Sequence, residues 1–516
     1  MANEKKILIR VENLKQYFPV KKASFKQKEN LYVRANDDIT LDIYQGETLG
    51  LVGESGCGKS TLGRTLLQLY NQTDGRTMYY GEDIDQVAPE YVLDILKNLS
   101  SKRKEYQSIL KKEKEVVEAY DKLTVEEEKY SAVENKEKIE KQSRNSFLDI
   151  VQLIGGFMVA DDLSPVSDIL VKEYNASIEL RILKDKLNED RIEFQAAKLL
   201  LVEKGKTEDQ IKIDLAQQIS KIQSQENNIS KNEEKVNQFR IEVEKLKDKY
   251  RNHEEFDKYE AYLDKGINLT KLKVEEMRRL RENLQLIFQD PYSSLNPRLT
   301  VGQIISEGLF AHKKFAKNDP SINDHIIDTM EKCGLAPYFI HRYPHQFSGG
   351  QRQRIGIARS VALKPKFIVC DEAVSALDVS IQSQIINLLL DLKEEENLTY
   401  LFISHDLSVI KYISDRVAVM YLGNVVELAA TPELYARPMH PYTEALLSAI
   451  PTTDDSTRKE SIILEGDIPS PITPPPGCKF HTRCSYATDI CKVVVPKFEE
   501  ARPGHFVACH HKLNQD

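Results

Sequence analysis

Gly53-Glu54-Ser55-Gly56-Cys57-Gly58-Lys59-Ser60-Thr61 decides how this chain is read. It fits G-x-x-x-x-G-K-[ST] and stands where that pattern has meaning, after the apolar run Glu47 to Val52 and before the amphipathic stretch Thr61 to Leu69. Glycines let backbone N–H groups turn inward toward phosphate oxygens, and the N-terminus of the following helix adds the positive end of its dipole. Lys59 supplies a mobile cation for β- and γ-phosphates, and Ser60 a hydroxyl for Mg²⁺. Cys57 falls at a variable position and reads as a tolerated small side chain. The segment predicts a nucleoside triphosphate site at the end of a buried strand.

Outward from it, Lys366-Phe-Ile-Val-Cys-Asp371-Glu372 is an apolar run ending in two carboxylates, and Thr399 to Ser404 is another short apolar run. Each is followed by a small or polar turn, as buried parallel strands are, which gives an α/β fold class. In company with the P-loop, Asp371 is expected to hold Mg²⁺ through its coordination shell. Glu372 is expected to polarise the attacking water as general base.

The chain has 516 residues, a formal net charge of −8 and seven cysteines. There is no global excess of Lys and Arg to neutralise phosphates, so nucleic acid is not expected as a partner. The opening MANEKKILIRVENL lacks the apolar stretch of a signal peptide. The best apolar run, Phe147 to Ala160, contains Asp149 and Gln152 and is too short to span a bilayer.

Between Tyr91 and Thr270 stand 32 Lys and Arg and 37 Asp and Glu, with four glycines and the single proline Pro165. Dense mixed charge with few breakers is the composition of long helices. Leu215, Ile222, Ile229, Val236, Val243 and Tyr250 follow one another at intervals of seven, as do Leu180, Leu187, Phe194 and Leu201. The pattern breaks around Gly155, Gly156 and Pro165. The expected arrangement is an antiparallel coiled-coil hairpin inserted into the α/β core, with an apolar tip there. Expected boundaries are 1–87 and 276–430 for the two parts of the core, 88–275 for the insertion and 431–516 for a C-terminal extension.

Phe347-Ser348-Gly349-Gly350-Gln351-Arg352-Gln353-Arg354 resembles the signature of ABC-type ATPases. Ser375-Ala376-Leu377-Asp378 resembles their D-loop, His405 in FISHD their switch histidine, and Gln289 in IFQDP their Q-loop glutamine. Phe18, or its neighbour Tyr17, falls where the family stacks an aromatic ring on adenine. The resemblance implies that residues 53–61, Asp371, Glu372, Gln289 and His405 face one ATP, with Ser60, Gln289 and Asp371 around Mg²⁺. It also implies that Ser348, Gly349, Gly350, Gln351 and Asp378 serve the ATP of a partner subunit.

Phe288 to Val301, Asp371 to Leu389, Met439 to Pro451 and Pro474 to Cys484 are similar to ATP-binding subunits of bacterial oligopeptide and dipeptide importers, in wording nearest the F-type subunit. One departure is Ala373, where the family usually has proline. The resemblance implies a D-type ATPase partner, two membrane permeases and, indirectly, an extracellular peptide-binding protein. It implies a place on the cytoplasmic face of the bacterial membrane. Cys478, Cys484, Cys491 and Cys509 form no C-x-x-C knuckle. Four thiolates suit a structural zinc or an iron–sulfur cluster, and the importer resemblance implies a 4Fe–4S cluster. A rival is the class of chromosome-maintenance or DNA-repair ABC ATPases acting on DNA, which are also split by a helical hairpin. Its expected C-x-x-C hook is missing here, and the insertion precedes Gln289.

Overall fold

The computed structural model describes residues 5–21, 30–123, 126–450 and 461–515. Pro451, the last residue of one stretch quoted above, lies outside them. Among the described residues, twelve strands form in the order β1 (Ile7–Pro19), β2 (Tyr32–Tyr44), β3 (Thr48–Val52), β4 (Asp74–Tyr79), β5 (Ile267–Asn268), β6 (Leu284–Ile287), β7 (Phe367–Asp371), β8 (Thr399–Ile403), β9 (Arg416–Tyr421), β10 (Asn424–Ala430), β11 (Glu499–Arg502) and β12 (His505–Val507).

The larger sheet runs β11-β12-β10-β9-β3-β8-β7-β6, and the smaller one β2-β1-β4-β5. Neighbours from β9 to β6 are parallel, whereas β10, β11 and β12 add an antiparallel edge. Strands β3, β7 and β8 are buried at every residue. Covering both faces explains why they read as unbroken apolar runs. On β8, Leu401 and Ile403 enter the core shared with the smaller sheet. Tyr400 and Phe402 enter the core under the helices Val301–Ala311, Gly349–Val361 and Val379–Glu396. That alternation is the two-residue period of a strand.

The charged middle of the chain does not form one hairpin. It folds into two pairs of helices, Leu99–Asp121 with Glu126–Ile154, and Ser164–Glu203 with Ala216–Asp248. In the second pair Lys221 bridges Asp190 at 2.7 Å, Lys235 bridges Glu179 at 3.0 Å and Arg240 bridges Glu173 at 3.2 Å, a descending register that makes the helices antiparallel. Of the heptad positions, Leu187, Leu215, Ile229 and Val236 are buried and the others are half-buried. In the first pair Tyr106 meets Phe147 with ring centroids 5.5 Å apart.

The expected apolar tip is a joint at the base of both pairs. Ile150, Ile154, Phe157, Leu163 and Val166 belong to the same core as Leu49 and Leu51 of β3. Arg76 of β4 donates to Gln152 at 2.6 Å, and Asp264 N–H donates to the Gln152 carbonyl at 3.1 Å. The physical reason is that an apolar segment is stable in water only when covered, and the α/β lobe offers the cover. The chain is back in the smaller sheet at β5, where Ile267 pairs with Tyr79. Phe157, 2 % exposed, packs edge-on to Tyr250. Phe157→Ala is therefore expected to cost about 3–5 kcal/mol of stability in chemical denaturation, as for a core phenylalanine. An unchanged midpoint would put the residue at a free tip.

Candidate functional site

The P-loop joins β3 to the helix Lys59–Leu66. Its shape is imposed by glycine: Gly58 has φ +105°, and a Cβ there would stand 2.0 Å from the Ala35 carbonyl oxygen. Gly53, at φ +151°, would place a Cβ 2.2 Å from the Met420 carbonyl oxygen. Asn36 of β2 donates its amide to the Gly58 carbonyl at 3.0 Å. Gly423 N–H donates to the Cys57 carbonyl at 2.9 Å. Ser55 and Gly56 are exposed at the turn, and Thr61 lies half-buried in the first turn of the helix. Lys59 is 5 % exposed, and its Nζ donates to the carbonyls of Gly53 at 2.8 Å and Glu54 at 3.1 Å. Cys57 is buried and its thiol is pushed up by desolvation, which keeps it protonated and unreactive.

Opposite the P-loop, the C-terminal ends of β7 and β8 deliver the carboxylates and the histidine. Ser60 Oγ donates to Asp371 Oδ1 at 2.5 Å, and Arg64 Nη2 donates to Asp371 Oδ2 at 3.1 Å. Asp371 is 1 % exposed, so its charge is carried by these two partners. Glu372 takes the left-handed conformation at φ +48°, uncommon outside glycine and concentrated at functional sites. Its Oε2 accepts from Gln289 Nε2 at 2.7 Å and lies 3.7 Å from His405 Nδ1. Gln289, assigned to the metal as well on resemblance, is bound to Glu372 here. His405 and Gln289 are exposed, so the cluster is open to a bound phosphate and to water.

The signature occupies a different surface. Ser348 caps the helix Gly349–Val361: its hydroxyl accepts from Gln351 N–H at 3.4 Å, while its own N–H donates to Gln351 Oε1 at 3.1 Å. This reciprocal cap leaves the helix N-terminus exposed, where an anion is stabilised. A Cβ on Gly350 would stand 2.5 Å from Ile381 Cγ2, and one on Gly349 3.5 Å from Leu377 Cδ2, so the signature backs onto the D-loop. Asp378 caps Val379–Glu396, accepting from Ile381 N–H at 3.0 Å and Ser380 Oγ at 2.7 Å; these bonds hold its carboxyl below the usual range. Ser348, Gly349 and Asp378 are exposed, and Gln351 is half-buried.

On β1, Phe18 packs edge-on to Tyr70 with centroids 5.3 Å apart. Tyr17 donates its hydroxyl to Asp37 and carries Arg34 over its ring at 5.8 Å. Cys478, Cys484, Cys491 and Cys509 are free thiols that line one small cavity. Burial pushes Cys478 up to about 11 and Cys509 up to about 12. Among the described residues, no group of three or more His, Cys, Asp or Glu stands in an arrangement that would hold a metal ion. His481, His510 and His511 are engaged with the Cys478 carbonyl at 2.8 Å, the Val494 carbonyl at 2.9 Å and the Thr488 hydroxyl at 2.7 Å.

Sequence reasoning missed Arg64, which neutralises Asp371, and the contacts of the C-terminal segment with the P-loop. Arg64 carries a faint signal, a basic residue one turn after Ser60 on the same helix. Among the described residues no helix is long and apolar enough to cross a membrane.

The ABC transporter family matches residues 36–163 and 253–375, and the oligopeptide/dipeptide transporter C-terminal region matches residues 426–491. Oligopeptide transport ATP-binding protein AppF of Bacillus subtilis is 55% identical over 251 residues, covering 48% of this chain and 76% of that one. A Brucella ovis chain described as a peptide import ATP-binding protein is 55% identical over 244 residues, covering 47% of this chain and 76% of that one. A solved structure of cbiO1 from Clostridium perfringens is similar with a TM-score of 0.41 at 14% identity, covering 84% of this chain and 92% of that one.

Proposed function

Because this chain belongs to the ATP-binding subunits of ABC oligopeptide transporters, we propose that it hydrolyses ATP at the Lys59–Asp371–Glu372 cluster to power peptide import through two membrane permeases. The observation that carries this reading is the convergence of Ser60, Asp371, Glu372, Gln289 and His405 at the ends of β7 and β8 and the P-loop. The donor set around Asp371, a carboxylate and a hydroxyl, suits a hard oxygen-seeking cation such as Mg²⁺. Ser60 and Asp371 would hold it there, and it would supply positive charge against the charge that develops on the phosphates.

The chain's own residues do the rest. Lys59 exchanges its two carbonyl acceptors for the β- and γ-phosphates of ATP. Phe18 stacks on adenine, a role supported by the anchoring of its neighbour Tyr17 to Asp37. Glu372 Oε2 orients the attacking water and takes its proton, held in place by Gln289; His405 steadies the γ-phosphate side of the same carboxylate. Ser348, Gly349, Gly350, Gln351 and Asp378 act on the ATP of a D-type partner, whose own signature acts on this chain's ATP. The chemistry is positioning and charge stabilisation, completed when two subunits close.

The same reading places the chain on the cytoplasmic face of the membrane, with peptide delivered by an extracellular binding protein. It divides the chain into core segments 1–87 and 276–430, a coiled-coil insertion 88–275 and an extension 431–516. For the four thiols of that extension the resemblance proposes a 4Fe–4S cluster, or zinc in its place; they line one cavity, but among the described residues they do not stand in an arrangement that holds a metal ion. Anaerobic purification is expected to give a brown protein with about four iron atoms per chain. A folded, colourless and iron-free chain would remove the cluster. The functional reading is tested by reconstituting the chain with its permeases and ATPase partner in vesicles: peptide uptake is expected to require MgATP and this chain. Uptake that persists without the chain overturns it.

A further inference from the structure

Two basic side chains of the C-terminal segment reach the nucleotide site from the far end of the sequence. Arg483 donates from Nη1 to Glu54 Oε2 at 2.8 Å and from Nη2 to Glu54 Oε1 at 3.1 Å, a bidentate pair with the arginine side chain 7% exposed. Tyr442, fully buried against Phe480 and Tyr421, accepts from the Glu54 N–H at 2.9 Å. The Glu54 carbonyl in turn accepts from Lys59 Nζ. A second strut, Lys479, donates to Asp37 at 2.9 Å and to the Leu422 carbonyl at 3.1 Å; Asp37 also takes the hydroxyl of Tyr17, beside Phe18.

We propose that Arg483, with Tyr442, is a positioning residue of the ATP site, fixing the Glu54 peptide so that the P-loop is preorganised for the phosphates. The inference rests on the reading of residues 53–61 as the ATP-binding loop. Glu54 is the residue on whose carbonyl Lys59 rests, and the C-terminal segment grips it through both its N–H and its carboxylate. A loop held through both the N–H and the carboxylate of Glu54 has less conformational freedom to lose on binding. A planar guanidinium suits the two carboxylate oxygens together, whereas an ammonium meets them only as a point charge. The struts adjoin the thiols, Lys479 next to Cys478 and Arg483 next to Cys484, so the fold of the cysteine turn sets where both are aimed.

The test titrates the full chain with a fluorescent ATP analogue and Mg²⁺, beside its thermal unfolding without nucleotide and its ATP turnover with the partner subunits. Arg483→Ala is expected to raise Kd and KM for ATP about tenfold while kcat at saturating ATP stays within about twofold. Arg483→Lys is expected to recover part of the loss. Glu54→Ala removes the same bond from the other side, and Arg483→Ala/Glu54→Ala is expected to bind no more weakly than the weaker single variant. If Arg483→Ala fails to fold, Glu54→Ala and Arg483→Lys carry the test. Wild-type affinity in these variants, with or without a lower Tm, overturns the proposal, as do independent, multiplying effects in the double variant. A wild-type chain that binds no MgATP would sink the ATP-site reading instead.

Discussion

Glu372→Gln is expected to keep ATP binding and to lower steady-state hydrolysis by about 10²–10⁴-fold, the usual contribution of a positioned general base. The substitution is nearly isosteric. An amide still accepts from Gln289 through its oxygen, so the 2.7 Å contact that orients the side chain survives. What disappears is the ability to take a proton from water. The left-handed backbone at position 372 is as accessible to Gln as to Glu, and Asp371 next to it keeps Ser60 and Arg64. ATP is then bound but not consumed, so two subunits are expected to accumulate in the closed pair. Phosphate release from the assembled ATPase, with size-exclusion chromatography in MgATP, reads both effects. Hydrolysis at the wild-type rate would remove Glu372 from the base role.

Lys59→Ala acts one step earlier, on binding itself. Lys59 Nζ is buried and aimed at the mouth of the loop by the carbonyls of Gly53 and Glu54. A hydrogen bond from a charged donor contributes about 1.5–3 kcal/mol, which corresponds to roughly a 10–100-fold loss of ATP affinity. The fold itself is expected to survive, because the loop's shape is set by Gly53 and Gly58 and by the Asn36 and Gly423 contacts. A fluorescent-ATP titration measures the loss, and the unfolding midpoint without nucleotide separates it from general damage. Unchanged affinity in the folded variant would contradict the phosphate role of Lys59.

The chemistry of the site was legible because it is written in short, contiguous words. Gly53 to Thr61 specifies its own turn: the glycines go where a Cβ would strike the Ala35 and Met420 carbonyls, and the lysine and serine follow at the helix start. Asp371 and Glu372 end a strand whose burial on both faces shows as an apolar run. Ser348 and Asp378 each carry their own helix cap within three residues. Arg64 was harder to see, because a lone arginine on a helix names no partner until β7 brings Asp371 beside it.

The insertion shows the opposite case. The heptads pointed to helices with one covered face, and Leu187, Ile229 and Val236 are buried on theirs. Periodicity records that a face is buried and leaves open what buries it. Gly155 to Pro165 breaks the pattern, and a break reads equally well as a tip or as a joint. The ATPase lobe decides between them: Arg76 on β4 and the core around β3 take Gln152 and Phe157 inward, so the break is a joint at the base.

By itself, then, the sequence determined the nucleotide chemistry and the family of this protein, since those depend on residues adjacent along the chain, whose geometry is local. Only the tertiary structure decided where the apolar joint of the insertion is buried, and that Arg483 of the C-terminal segment grips Glu54 of the P-loop. Contacts between residues so far apart leave no spacing to read. They exist because burying the C-terminal segment against β9 and β10 brings its charges within reach, and a buried guanidinium must find a carboxylate there.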